Sequence, residues 1–204
     1  MYQKRNKISK SWPLPRKGSK YVVSALDNSS VPLLVIMRDI LKMGETKKEV
    51  KEMLKTEKIK INEKVIKNER YPLKLLDIIN IDGKYYVFTI KNKKYNVEET
   101  KKVEEKISKI ISKKKLKKGK IQLNFSDGFN FISEKGTVGD SAVISLKDKK
   151  IKEFLELKKG ASVLVIKGKH IGKTGKIKEI EEKTGIIELD NKIKVSKENL
   201  IVIK

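Results

Sequence analysis

Lys48, Lys51, Lys55 and Lys58 recur at steps of three and four, the spacing that stacks side chains into one ridge along a helix. The chemistry open to such a ridge is charge neutralisation: closely spaced ammonium groups suit a row of phosphates. On a single helix the same pattern is most simply a solvated face. Two features argue for more. Few acids interleave with the ridge, and the stretch Ile59-Lys60-Ile61 alternates like a half-buried strand, sending Lys58 and Lys60 outward while Ile59 and Ile61 go in. Arg38 and Lys42, four apart, line a face of an earlier helix. A second concentration lies near the C-terminus, where Lys167, Lys169, His170, Lys173 and Lys176 surround a loop punctuated by Gly168, Gly172 and Gly175, each a place where the backbone can turn as side chains would not allow. A third surrounds Trp12. With Arg5, Arg16 and Lys17 nearby, this tail is either disordered or grips RNA by stacking and charge together. Only four arginines occur, Arg5, Arg16, Arg38 and Arg70. Among so many lysines they are the candidates for planar, two-bond phosphate contacts, Arg38 foremost.

Catalytic constellations are harder to build. His170 is the only histidine and there is no cysteine, which excludes disulfides, thiol catalysis and cysteine-ligated zinc and leaves a Ser-His triad without a visible partner set. The glycine-rich loop does not spell GxxxxGK[ST], and no helix follows it. We therefore expect no enzyme and no cofactor. Lys and Arg number 50 against 26 Asp and Glu, a net charge of +24, and a chain so self-repelling needs an anionic partner, nucleic acid before membrane. No apolar run approaches the roughly 20 residues of a spanning helix. Met1 to Arg5 is basic without the apolar segment of a secretory signal, so the expected compartment is the cytoplasm.

The elements that must position these groups read as α+β and β-rich. Residues 1–29 form an extended basic leader, restrained by Pro13 and Pro15. Ser30 is expected to cap a first helix, with Pro32 in its first turn, Leu33, Leu34, Met37, Ile40 and Leu41 as its apolar stripe, and Gly44 as its end. Thr46-Lys47-Lys48-Glu49 is a capping box for a second helix that buries Val50, Met53 and Leu54. Asn62-Glu63 offers a turn before Lys64-Val65-Ile66. Residues 30–83 thus form one helical-plus-sheet module. A central β-rich domain, 84–159, opens with the strand Tyr85 to Ile90. A helix is expected from Asn96 onward with Val103, Ile107, Ile110 and Ile111 inside. The basic run Lys113 to Lys118 is either a solvated loop or a phosphate contact. Lys120 to Phe125 and Phe129 to Ile132 read as a hairpin about Asp127-Gly128, followed by a strand at Ala142 to Leu146. Residues 160–204 form a last domain: a strand, the glycine loop, a returning strand, and further strands at Ile186 to Leu189 and Leu200 to Ile203.

Several of these stretches resemble a known family. Lys10-Ser11-Trp12-Pro13-Leu14-Pro15-Arg16-Lys17 is similar to the leader of archaeal and eukaryotic ribosomal proteins of the S4e family. Pro32-Leu33-Leu34, Arg38-Asp39, Tyr71-Pro72-Leu73 and Leu76-Asp77-Ile78-Ile79 resemble its small RNA-binding module, which ribosomal S4-type proteins, pseudouridine synthases and bacterial-type tyrosyl-tRNA synthetases also carry. Gln122-Leu123-Asn124, Asp127-Gly128, Asn130 and Val138-Gly139-Asp140 resemble its central region, and the loop from Gly160 to Ile177 looks like a KOW motif in an SH3-like barrel. Where the family has glycine in the module's hairpin, this chain has Glu63. Phe129 stands where the family commonly has a basic residue. The resemblance implies a structural protein of the small ribosomal subunit that binds the 5′ body region of small-subunit rRNA beside neighbouring ribosomal proteins and helps it fold, away from any membrane. The other reading is a non-ribosomal RNA-binding adaptor acting in ribosome rescue, transcription or translation.

Overall fold

The computed structural model describes residues 2–27, 30–101, 104–133, 135–181, 186–189 and 193–204. The chain divides into two compact units, Met1–Val103 and Glu104–Lys204.

In the first unit the leader is built into the fold. Its strand β1 (Tyr2–Lys4) pairs antiparallel with β2 (Tyr21–Val23), and the Tyr95 N–H donates to the Ser11 carbonyl at 2.7 Å. Trp12 is only 4% exposed and packs in the unit's core with Val22, Val23 and Leu33 to Met37. The expectation of an irregular leader is corrected here. Ile8, Trp12 and Leu14 are too few to form a core alone, but they need only cover one made by others.

A short strand β3 (Val31–Pro32) pairs with a later one and leads into the helix α1 (Leu33–Val35), which widens at once into a π-helical turn, Ile36–Ile40. The Leu41 N–H reaches back five residues to the Ile36 carbonyl at 2.9 Å. Leu33 to Met37 are all fully buried, so this helix has no solvent side along that run and the expected stripe is absent. Ser30 does not cap it. Its hydroxyl and N–H bind Asp27, at 2.6 and 3.0 Å, and Pro32 itself occupies the N-cap. The turn ends at Ile40, ahead of Gly44, with Lys42 in the left-handed region at φ 52°. The second helix follows its sequence closely. In α2 (Lys47–Lys55) the Glu49 N–H donates to Thr46 Oγ1 at 3.3 Å, and Glu49 in return accepts from the Thr46 hydroxyl and the Glu45 N–H.

The strands β4 (Ile59–Ile61), β5 (Lys64–Val65), β6 (Pro72–Leu73, the partner of β3), β7 (Ile78–Ile81), β8 (Lys84–Lys91) and β9 (Lys94–Glu99) complete the unit. A five-stranded sheet runs in the order β5-β4-β7-β8-β9, so it continues past residue 83 into the stretch expected to open a central domain. Its hairpins turn at Asn62-Glu63, Asp82-Gly83 and Asn92-Lys93, with positive φ at both residues of each. That is the mirror-image turn whose twist matches the flanking strands. Asn62 anchors the first of them: its amide donates to Asp77 at 2.9 Å and its side-chain oxygen accepts from the Ile78 N–H at 3.0 Å. Glu63 therefore adopts φ 64° without glycine.

The helix expected from Asn96 is two strands instead. β9 holds Asn96 to Glu99, and β10 (Glu105–Lys115) holds Ile107, Ile110 and Ile111; Val103 lies outside the described residues. Period two overrides period 3.6 because Tyr95 and Val97 face inward together, Tyr95 stacking on Phe88 at 5.1 Å between ring centres. The β-branched isoleucines of β10 suit a pleated surface.

The second unit holds two antiparallel sheets. The first has the order β12-β11-β10-β13-β14, with β11 (Ile121–Phe125), β12 (Asn130–Ile132), β13 (Ser141–Ser145) and β14 (Lys150–Leu155). The hairpin about Asp127-Gly128 and the strand after Asp140 stand as expected. Lys113 to Lys115 are neither loop nor helix but the exposed end of β10. The second sheet is β18-β17-β16-β15-β19, from β15 (Ser162–Val165), β16 (Thr174–Glu181), β17 (Ile186–Leu189), β18 (Ile193–Ser196) and β19 (Leu200–Val202). No ladder joins β18 to β19 among the described residues, so what stands is a half-barrel. The sheets are bonded together: the Val202 N–H donates to Ser141 Oγ at 2.9 Å, and Lys109 Nζ donates to the carbonyls of Lys197 and Glu198, both at 2.8 Å.

Candidate nucleic-acid interface

The capped helix α2 and the strand that follows it position the first basic face. Lys48 and Lys55 are exposed and have no acidic partner among the described residues. Lys51 reaches Glu69 at 3.7 Å and Lys58 reaches Asp82 at 3.2 Å. The Lys58–Asp82 pair is exposed on both sides and contributes about 0–1 kcal/mol, so it yields readily to a competing phosphate; Glu69 is largely buried. Lys60 is half-buried on β4, between Ile59 and Ile61, and Lys42 is exposed after the π-helical turn.

Three of the four arginines are occupied within the fold. Arg38 donates from Nε and Nη2 to the two carboxylate oxygens of Asp39, at 3.1 and 2.9 Å. Arg70 Nε binds the Ser24 carbonyl at 3.0 Å and so ties the leader to the module. Arg5 donates to the carbonyls of Ser19 and Pro15, each at 2.7 Å, and to Ser19 Oγ at 3.0 Å. Its partners are neutral, so its charge persists while its position is fixed. Arg16 and Lys17 are exposed on the leader. Trp12, expected as an open stacking ring, is instead a core side chain that also lines a cleft.

Two clefts of the first unit gather cations that the sequence did not bring together. The larger, of about 490 Å³, is lined by Arg5, Lys10, Arg16 and Lys94 over an apolar floor of Ile8, Trp12 and Leu14. A smaller one, of about 180 Å³, has Arg5, Arg38 and Lys47 beside Tyr2 and Tyr21. Both tyrosines are about half exposed. Lys47 donates to the Tyr2 hydroxyl at 3.1 Å; this bond, and after it the Glu69 carboxylate, raises the lysine's pKa above its ordinary 10.5 despite partial burial. Sequence reasoning missed Lys10, Lys47, Lys94 and the tyrosines. No spacing along the chain joins them; they meet only through the pairing of β1 with β2 and the docking of the leader on β9.

In the second unit the loop between β15 and β16 carries Lys167, Lys169 and Lys173, and Lys176 follows on β16; all four are exposed and His170 is half-exposed. The loop is closed by backbone bonds, Gly172 N–H to the Val165 carbonyl at 2.8 Å and Ile166 N–H to the Asn199 carbonyl at 2.8 Å. Gly168 and Gly172 take φ of 93° and 82°, where a side chain would be strained. Gly175 has no such φ and lies within β16, a correction to its expected role. No group of three or more histidine, cysteine or acidic side chains able to hold a metal occurs among the described residues.

Two-unit, β-rich architecture, lysine faces with few opposing acids, and a glycine-turned strand–loop–strand together define a KOW-type protein with a strongly basic surface. The comparisons agree. The KOW motif matches residues 159–190 and Ribosomal family S4e matches residues 81–151. Small ribosomal subunit protein eS4 of Methanocella arvoryzae is 33% identical over 87% of this chain and 80% of its own length, and that of Methanocaldococcus jannaschii is 31% identical over 94% and 89%. The crystal structure of 30S ribosomal protein S4e from Thermoplasma acidophilum superposes with a TM-score of 0.77 at 27% identity, covering 85% of this chain and 94% of that one. The chain belongs to the ribosomal S4e family.

Proposed function

We propose that the chain is a structural constituent of the small ribosomal subunit, in the cytoplasm, that binds small-subunit rRNA and supports its folding and translation. Relatives across most of the chain are small ribosomal subunit proteins. The observation that carries the mechanism is the placing of Lys48, Lys55, Lys167, Lys169, Lys173 and Lys176 on exposed faces with little acid against them. These groups neutralise packed phosphates, while rRNA shape and 2′-hydroxyls supply selectivity. Residues 30–83, with β8 and β9 completing their sheet, act as the S4-type RNA-binding module, the rest of 84–159 as a central β-rich domain and 160–204 as an SH3-like KOW domain whose half-barrel is one wall of the barrel. Neighbouring ribosomal proteins are its other partners. It is not an enzyme: His170, its only histidine, faces RNA. The test is co-sedimentation. One copy per small subunit, retained through a salt wash, is expected; substoichiometric binding that washes off would favour the adaptor reading.

A further inference from the structure

The larger cleft of the first unit has features that phosphate neutralisation alone does not require. Its charged lining, Arg5, Lys10, Arg16 and Lys94, is entirely basic, and its floor is apolar. A flat cationic face suits a duplex backbone, whereas a concave seat with an apolar floor suits a base taken out of its stack. Its volume of about 490 Å³ falls within the range of roughly 300–1,000 Å³ typical of small-molecule seats, and a double helix is too wide to enter.

The walls are pre-formed. Arg5 is locked by three hydrogen bonds to Pro15 and Ser19, and none of them neutralises its charge. The Tyr95–Ser11 backbone bond fixes the leader beside β9, whose first residue is Lys94. Asn6 and Ser9 add polar groups to the lining; the Ser9 hydroxyl accepts from the Ser11 N–H at 3.3 Å and keeps its own proton to donate to the edge of a base. We propose that this cleft seats one unpaired nucleotide of the bound RNA, its base on the Ile8–Trp12–Leu14 floor and its phosphates against the basic rim. The proposal rests on the rRNA-binding reading and adds to it a single-stranded contact that reads an unstacked base.

Trp12 is the chain's only tryptophan, so its emission reports on the cleft. The full chain is titrated with a short single-stranded RNA, a duplex of the same length, a free nucleoside monophosphate and a poly-glutamate peptide. In parallel, binding to small-subunit rRNA is measured across salt. The expected result is saturable quenching of Trp12 by the single strand, at least tenfold tighter than by the duplex, the mononucleotide or the peptide. Ser9→Phe, which fills the cleft from an exposed position, should weaken the single-strand response about tenfold or more and leave far-UV circular dichroism and melting unchanged. Lys94→Glu should weaken it similarly. Equal quenching by the duplex or the mononucleotide overturns the proposal, as does equal quenching by the peptide, which would make the cleft a seat for acidic protein segments. Steeply salt-dependent rRNA binding with Trp12 unmoved sinks the seat alone. No rRNA binding at all sinks the functional reading beneath it.

Discussion

Lys109 is a cation withdrawn from water to hold two carbonyls. Burial, outweighing the Glu198 charge, lowers its pKa from 10.5 to about 8. The unfolded chain therefore binds this proton more tightly than the folded one. The sign follows: the cost of the buried charge is fully present below pH 8, is relieved as pH rises towards 10.5, and is absent above it. Thermal melts should show the wild-type Tm gaining on that of Lys109→Met between those two values; parallel curves would mean that the group titrates as it does in water. Glu63 is a second residue under constraint, since φ 64° disfavours any side chain. Glu63→Gly should raise stability by about 1 kcal/mol in urea unfolding, with rRNA affinity kept or slightly improved by loss of an acid. Loss of stability instead would show that Glu63 contributes a contact worth more than its strain.

At the level of elements, the leader is where the sequence and the fold part most clearly. Trp12-Pro13-Leu14-Pro15 names a rigid segment in a leader otherwise poor in apolar residues, and nothing in its own composition says that Val22, Val23 and the buried run Leu33 to Met37 await it. Trp12→Ala should accordingly cost about 3–5 kcal/mol, and free protein should emit as a buried tryptophan does; a solvent-type maximum with unchanged stability would return the leader to the status of a mobile tail. Local signals read well where a local interaction decides the outcome. Thr46 and Glu49 cap α2 as their spacing promised, and the Asp127-Gly128 hairpin and the glycine loop before β16 are where their turn residues put them. They fail where a partner strand decides. Ile107, Ile110 and Ile111 satisfy a helical spacing as well as a strand, and only the β13 and β11 ladders choose between them. The candidate site divides in the same way: the α2 ridge and the KOW lysines follow from spacing along the chain, whereas the Lys10–Lys94 cleft joins residues far apart in sequence. Arg38 was legible as a strong fork, though not as one already filled by the carboxylate beside it.

Over the whole molecule, the net charge of +24 makes ionic strength the main control on binding. Each phosphate neutralised should contribute about −0.7 to −0.9 to the slope of log affinity against log salt, and several contacts should take the total beyond roughly −4. A filter-binding series that is nearly flat from low to physiological salt would refute the electrostatic mechanism. The division at Val103 and Glu104 carries a consequence for how the protein is made. Every strand of the first unit finds its partner by Glu99, and among the described residues the leader's last backbone anchor in order of synthesis is Tyr95. A nascent chain can therefore pair β1 with β2 early, but the Ser11 carbonyl waits for Tyr95 to clear the exit tunnel, after which the whole unit can close while the remaining half is still being translated. Shortly after that point the α2 ridge is already in place, so a growing chain can engage RNA before it is released.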